Sequence, residues 1–257
     1  MVAQGVRTIL APNPSPMRGA GTNSYVLGRG DVVVVDPGPD LPEHVEAVMA
    51  QGRVVAQLVT HGHDDHLPAA RRLRERVGAP IYGHPDLPGV DRPLVDGQRL
   101  DLVGWRLQAL VTPGHAPEHL VFWAEGRRLI FTGDLIAGAG TVVLSETPNA
   151  LGQYLDSLLR LFALGPSTLL PGHGPRVDDG LAKIREYLDH RMARERQIVV
   201  ALGDGAATVD ELVERIYSDT PPPLRPLAAR NVRAHLERLQ SLQRAQPVGE
   251  RWGLTGS

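Results

Sequence analysis

The sequence predicts an α/β protein with a small helical module at its C-terminal end. Three observations carry this. Short apolar runs rich in Val, Leu and Ile alternate with turns and helical patterns as far as residue 177. Four of these runs end directly in polar loops that carry His or Asp, at 61–66, His115, Asp134 and His173. From about Asp178 the strands give way to Arg/Glu-rich helical patterns, which sets two expected domains, 1–177 and 178–257.

Residues 6–10, 25–27 and 32–35 read as short strands. Val32-Val33-Val34-Val35 is β-branched and uniformly apolar, the pattern of a strand buried on both faces. It ends in the turn Asp36-Pro37-Gly38-Pro39. Asp36 reads either as a turn-starting residue or as a carboxylate that holds a metal-binding histidine. Leu41 to Gln51 has Val45, Val48 and Met49 at helical spacing, and Gly52 ends the helix. A strand over 54–59 leads into the histidine-rich loop, and Pro68 opens a helix to about Val77 whose arginines lie on a solvated face. Strands follow at 80–82, 99–102, 105–111, 119–124 and 128–131, then a helix over 149–163 and a strand over 168–170. Residues 179–201 read as one long helix. Thr208 and Glu211 are spaced as a capping box at the start of a second, and 227–243 reads as a third. Pro247 to Trp252 closes the chain as a hairpin or wing, so the last part is winged-helix-like.

Composition removes several function classes. The formal net charge is −2 over 257 residues, so no global basic field draws the chain to nucleic acid or to an anionic membrane. There is no cysteine, which excludes disulfides, thiolate metal sites and cysteine nucleophiles. No apolar stretch approaches the ~20 residues of a membrane span. Residues 1–7 lack the pattern of a secretory leader, so a cytoplasmic location without membrane contact is the expectation. The tail is locally basic: Arg225, Arg230, Arg233, Arg238, Arg244 and Arg251 stand against Glu237 and Glu250.

The chemistry is concentrated in Thr60-His61-Gly62-His63-Asp64-Asp65-His66. Imidazole and carboxylate are the donors of zinc and similar cations. His61 and His63 are two apart, so an extended loop points both the same way, and Asp65 and His66 can serve a neighbouring ion. His115, Asp134 and His173 arrive from other loops. The total is too many for one tetrahedral zinc and suits two cations, with Asp134 the natural bridge.

The T-H-x-H-x-D-H run, the later T-P-G-H, the T-G-D and the P-G-H-G resemble the metallo-β-lactamase-fold hydrolases over roughly residues 6–177. The resemblance implies a four-layer αββα sandwich. It also implies one zinc on His61, His63 and His115, a second on Asp65, His66 and His173, and Asp134 between them. Asp64 falls on a variable position and Asp36 on one that holds a ligand histidine. Iron or manganese are the other cations implied. The tail stretch 227–239, and His115-Ala116-Pro117-Glu118-His119, resemble the β-lactamase-like protein 2 subfamily, although Ala116 departs from the usual Thr. That subfamily includes an endoribonuclease acting on single-stranded RNA and has thioesterase relatives.

The resemblance implies hydrolysis by a metal-bridging hydroxide, with Asp65 orienting it. His119 reads either as a substrate-contacting or proton-donating residue or as one that holds its loop. The leading expectation is a zinc phosphodiesterase acting on single-stranded RNA. The alternative is a thioesterase of the glyoxalase II kind. A β-lactamase, a di-iron redox protein and a DNA-binding protein with a degenerate site rank below these. RNA or a small acyl thioester is thus the expected partner, and a homodimer is compatible with the sequence.

Overall fold

The structure is a computed structural model that describes residues 5–256. Residues 1–4 and 257 lie outside it, and with them part of the stretch read for a leader and the outer ends of the two expected domains. Two β-sheets are stacked face to face. The first has six strands in chain order: β1 (Val6–Leu10), β2 (Asn23–Arg29), β3 (Asp31–Val35), β4 (Arg53–Leu58), β5 (Ile81–Gly83) and β6 (Arg92–Pro93). It is antiparallel from β1 to β3 and parallel from β3 to β6. The parallel steps need crossovers, which α1 (Pro42–Met49) and α2 (Pro68–Val77) supply.

The second sheet runs β11-β10-β9-β8-β7. Its strands are β7 (Arg99–Leu102), β8 (Trp105–Val111), β9 (Leu120–Ala124), β10 (Leu129–Gly133) and β11 (Thr168–Pro171). Only the β10–β11 pair is parallel, and α3 (Ala150–Leu164) makes that crossover.

Side-chain alternation assigns the layers. Val33 and Val35 face inward with Leu58, against Leu107, Phe122 and Phe131 of the other sheet. Val32 and Val34 face the other way and pack on Val45 and Val48 of α1 and Leu73 of α2. On the far side, Val121, Trp123 and Ile130 pack under Tyr154 and Leu158 of α3 and Ile184 and Tyr187 of α4 (Gly180–Gly203). This is the expected αββα order. The two-residue β6 was not expected: Arg92 and Pro93 are exposed and carry no apolar pattern.

Beyond the sandwich lie α5 (Val209–Ile216), α6 (Arg225–Ser241), β12 (Ala245–Val248) and β13 (Arg251–Leu254). Both halves of the Thr208/Glu211 capping box form. Ala207 bridges Trp252, so the hairpin gains a third extended segment, as in a winged helix. Leu202, Leu212, Leu236 and Leu239 are buried in a core of their own. Each contributes about 2 kcal/mol, more than a surface ion pair of this region supplies. The change of core falls inside α4, between Tyr187 and Ile198, because one helix serves both. Among the described residues no helix is long and apolar enough to cross a membrane.

Candidate metal centre

The site forms where strands of both sheets end on one rim. On the first sheet, Asp36 follows β3 with φ of 49°, a left-handed conformation that Asp tolerates better than most residues. This turns its carboxylate across to the loop after β4. Oδ1 accepts the Thr60 amide at 2.8 Å. Oδ2 accepts the Thr60 hydroxyl at 2.8 Å and meets His66 Nδ1 at 3.0 Å. Asp36 thus ties the loop at Thr60 and the His66 ring to the end of β3.

The second sheet supplies the rest. His115 follows β8, Asp134 follows β10 and His173 follows β11. His61, His63, His115 and Asp134 each offer one donor atom within 4.8 Å of the others, and Asp65, His66 and His173 form a second such group. Asp134 reaches both: Oδ2 lies 3.7 Å from His115 Nε2 and 3.2 Å from His173 Nε2, while Oδ1 lies 3.5 Å from His66 Nε2. Such closeness needs bare backbone. A Cβ on Gly172 would sit 2.5 Å from Asp134 Oδ1, and one on Gly133, at φ of 47°, 2.5 Å from Thr60 Oγ1.

The donor set fits cations. Each imidazole except His63 has its outward nitrogen engaged by an oxygen. Val143 carbonyl takes His115 Nδ1 at 2.7 Å, Gly21 carbonyl takes His173 Nδ1 at 3.2 Å and Asp36 takes His66 Nδ1. Thr60 Oγ1 lies 2.9 Å from His61 Nδ1; its proton already goes to Asp36, so it accepts. These partners fix the proton outward and leave the Nε2 lone pairs pointing into the centre. There, His63 Nδ1 stands 3.0 Å from His61 Nε2 and 3.1 Å from His115 Nε2. His66 Nε2 and Asp134 Oδ1 are buried without a hydrogen-bond partner. Inward lone pairs and orphaned buried donor atoms are what a cation resolves.

The field agrees. Burial pushes the His61 imidazole well below its ordinary value and does the same, less strongly, to His115. Burial opposes charge on His66 too, but Asp134 and Asp36 outweigh it and hold that imidazole well above its ordinary value. His173 is pushed up to about 9 against burial by Asp134 and Asp65. The carboxylates are therefore the groups that attract positive charge to the buried floor.

A model of the metallo-beta-lactamase superfamily matches residues 17–90 and 85–173, and one of the beta-lactamase associated winged helix domain matches 208–252. The chain belongs to the metallo-β-lactamase superfamily of hydrolases. It is 32% identical to a beta-lactamase-like protein 2 homolog of Caenorhabditis elegans, over 93% of this chain and 85% of that one. It is 36% identical to an atrochrysone carboxyl ACP thioesterase of Aspergillus chevalieri, over 83% of this chain and 73% of the other. A metallo-beta-lactamase family protein of Thermus thermophilus has the same fold across 97% of this chain and 98% of its own, with a TM-score of 0.82 at 24% identity.

Within this member, the structure brings together all seven residues singled out as donors, and Asp64 points outward to Arg18. His119 lies beneath the donors. It has no exposed surface, its Nε2 accepts the Asp134 amide at 3.2 Å, and its Nδ1 lies 3.1 Å from Thr112 Oγ1. So enclosed, the imidazole lies under the Asp134 backbone, and burial pushes it well below its ordinary value.

Other functional residues gave no sequence signal. Arg18 Nε and Thr22 Oγ1 both donate to Asp65 Oδ2, at 2.9 and 2.8 Å, from the irregular loop before β2. Glu118 accepts the Gly62 amide at 3.1 Å. A cleft of about 460 Å³ opens over the donors, walled by Met17, Pro117, Val142, Leu144 and, from α6, Leu227 and Arg230. The tail is thus part of the cleft. Most of its basic residues are also already occupied. Arg238 and Arg244 pair with Glu195, Arg251 with Glu211, and Arg230 with Glu146 and the Leu144 carbonyl.

Proposed function

We propose that the protein is a two-zinc hydrolase of acyl thioesters, with His61, His63 and His115 holding one cation, Asp65, His66 and His173 the other, and Asp134 shared. Cations so held supply Lewis acidity and bring the pKa of water down towards neutrality. The chain's own part is separate. Asp36, Thr60, Gly21 and Val143 keep the imidazole protons outward. Asp65, anchored by Arg18 and Thr22, would act as the acceptor that orients the attacking water. His61, Asp65, His66 and Asp134 are buried beneath the open cleft, so their charges act in a lower dielectric than those at its rim, where His63 is exposed.

The observation that carries the choice of thioester over RNA is the fate of the tail arginines. Binding an RNA backbone needs free cationic groups against phosphates. Four of the six are tied to carboxylates outside the stretch 225–251 in which the excess was counted. The cleft wall is apolar at Met17, Pro117, Val142, Leu144 and Leu227, its two arginines, Arg18 and Arg230, are already paired with carboxylates, and its rim carries Asp64 and Glu118, which suits an acyl chain better than a polyanion. A relative named as a thioesterase points the same way. The winged helix and the exposed Arg225 and Arg233 favour the RNA reading. The test is to assay the zinc-loaded protein in parallel on a panel of acyl thioesters and on single-stranded RNA. Thioester turnover should fall by at least about 100-fold in His63→Ala. RNA cleavage that His63→Ala abolishes, with no thioester turned over, would reverse the choice. Activity surviving in that variant would overturn the site. Metal analysis of protein purified without added metal should find two zinc ions per chain; two irons would replace zinc in the proposal.

A further inference from the structure

Residues 141–145 have no regular secondary structure, yet Val142 and Leu144 are buried and the segment forms one wall of the cleft. Buried backbone outside a helix or ladder must find partners elsewhere. Here three successive carbonyls are each taken by a different side chain. Arg191 Nη2 donates to Val142 O at 2.7 Å, His115 Nδ1 to Val143 O at 2.7 Å, and Arg230 Nη2 to Leu144 O at 3.0 Å. The middle bond orients a metal-binding imidazole. The two that flank it come from α4 and α6. Ser145 N closes the arrangement on the Gly114 carbonyl at 2.9 Å, next to His115 itself.

Arg191 is built into this place. Its side chain is among the largest fully buried ones, its Nη1 lies 3.3 Å from Asn231 Oδ1 on α6, and its guanidinium stacks over the Tyr154 ring. Burying an arginine is costly unless its donors are satisfied. A carbonyl of an irregular strap is an unusual use for so costly a group, unless the strap must be held in place.

We propose that Arg191 and Arg230 are positioning residues of the metal centre. They clamp the segment 141–145 so that the Val143 carbonyl fixes the His115 Nδ1 proton, and with it the direction of the Nε2 lone pair. The tail then completes the site on the sandwich, and the grip on one cation depends on it. The inference rests on the two-cation reading of the site and not on the thioester. Partners that orient a metal-binding imidazole are worth roughly 10–100-fold in metal affinity. The arginines act one bond further out, so the lower end is expected.

The test uses the full chain loaded with cobalt(II) and dialysed against a competing chelator. It reads cobalt per chain, the visible absorption of the bound ions, and far-UV circular dichroism as a check on folding. Arg230→Met, at a half-exposed position, should fold and release one of its two cobalt equivalents about tenfold more readily, with a changed absorption band. Arg191→Lys, which keeps a charged donor, should fall between the wild type and Arg191→Met. Arg233→Met, exposed on the same helix, should match the wild type. Folded Arg230→Met and Arg191→Lys proteins with wild-type retention and spectrum would overturn the proposal. A wild-type chain that itself held no cobalt would overturn the two-cation reading, and the inference with it.

Discussion

Asp36 frames the candidate metal centre through hydrogen bonds alone. It is one carboxylate with three acceptor bonds: the Thr60 amide, the Thr60 hydroxyl and His66 Nδ1. Through the hydroxyl it also fixes His61. Asp36→Asn tests this with almost no change of shape, since Asn tolerates the same left-handed backbone. The amide must present a donor where Oδ1 or Oδ2 accepted. If that donor faces His66, it drives the ring proton to Nε2 and removes the inward lone pair. If it faces Thr60, the loop loses its backbone anchor. Either way, retention of the cation on His66 should fall roughly 10–100-fold, read as metal per chain after dialysis at constant pH. A variant that keeps both ions would show that the imidazoles orient themselves without the carboxylate.

At the scale of elements, the seam between α4 and α6 is the least expected feature. Glu195, nearly fully buried, meets Arg238 and Arg244, with His235 at 3.9 Å and Arg191 one turn away on its own helix. Burial works against the Glu195 carboxylate, but His235 and Arg238 outweigh it and hold it below its ordinary value. A depressed carboxylate adds stability above its unfolded value, about 4.3, that is lost as pH falls through the folded value. Burial also pushes His235 down, so it too begins to destabilise the fold as pH drops below about 6.5, where the unfolded ring takes a proton. Glu195→Gln should therefore cost about 3 kcal/mol at pH 7, as expected for a buried pair broken from one side. The cost should shrink below about pH 4, where the unfolded carboxylate of the wild type is protonated. Thermal melts of the two proteins at both pH values check this; a cost that does not change with pH would mean that the carboxylate is not charged in the fold. The seam also shows what a sequence hides. Strands, crossovers and donor loops were legible because β-branched runs, Pro and Gly are local signals, and each donor sits directly at a strand end. The pairing of Arg238 with Glu195 spans 43 positions and two helices, and the strap 141–145 has no periodicity to read. So the basic tail looked free in the sequence, and the wall that α6 adds to the cleft was invisible.

At the scale of the whole molecule, the donors come from both sheets: His61, His63, Asp65 and His66 from the end of β4, and His115, Asp134 and His173 from β8, β10 and β11. Cations held between them would join the two halves of the sandwich at the rim, where the interior apolar core of Leu58, Phe122 and Phe131 no longer reaches. Without cations, inward imidazoles and the carboxylates of Asp65 and Asp134 crowd one another there, and against burial the nearby carboxylates raise the proton affinity of His66 and His173. Binding only to the folded state stabilises it by about 2.7 kcal/mol at a free cation concentration roughly 100 times Kd. In a chain of this size each kcal/mol moves the melting point by about 2–4 °C. Chelation should therefore lower the melting temperature by roughly 5–10 °C, and added zinc should restore it. His63→Ala should show a smaller drop, because one cation has lost a donor while the other keeps its three. Dependence on the cation should extend to the tail, since the strap that orients His115 is gripped by α4 and α6, so tail and sandwich should unfold in one transition with zinc bound. Two transitions that chelation leaves unmoved would mean that the halves of the sandwich are held by their cores alone.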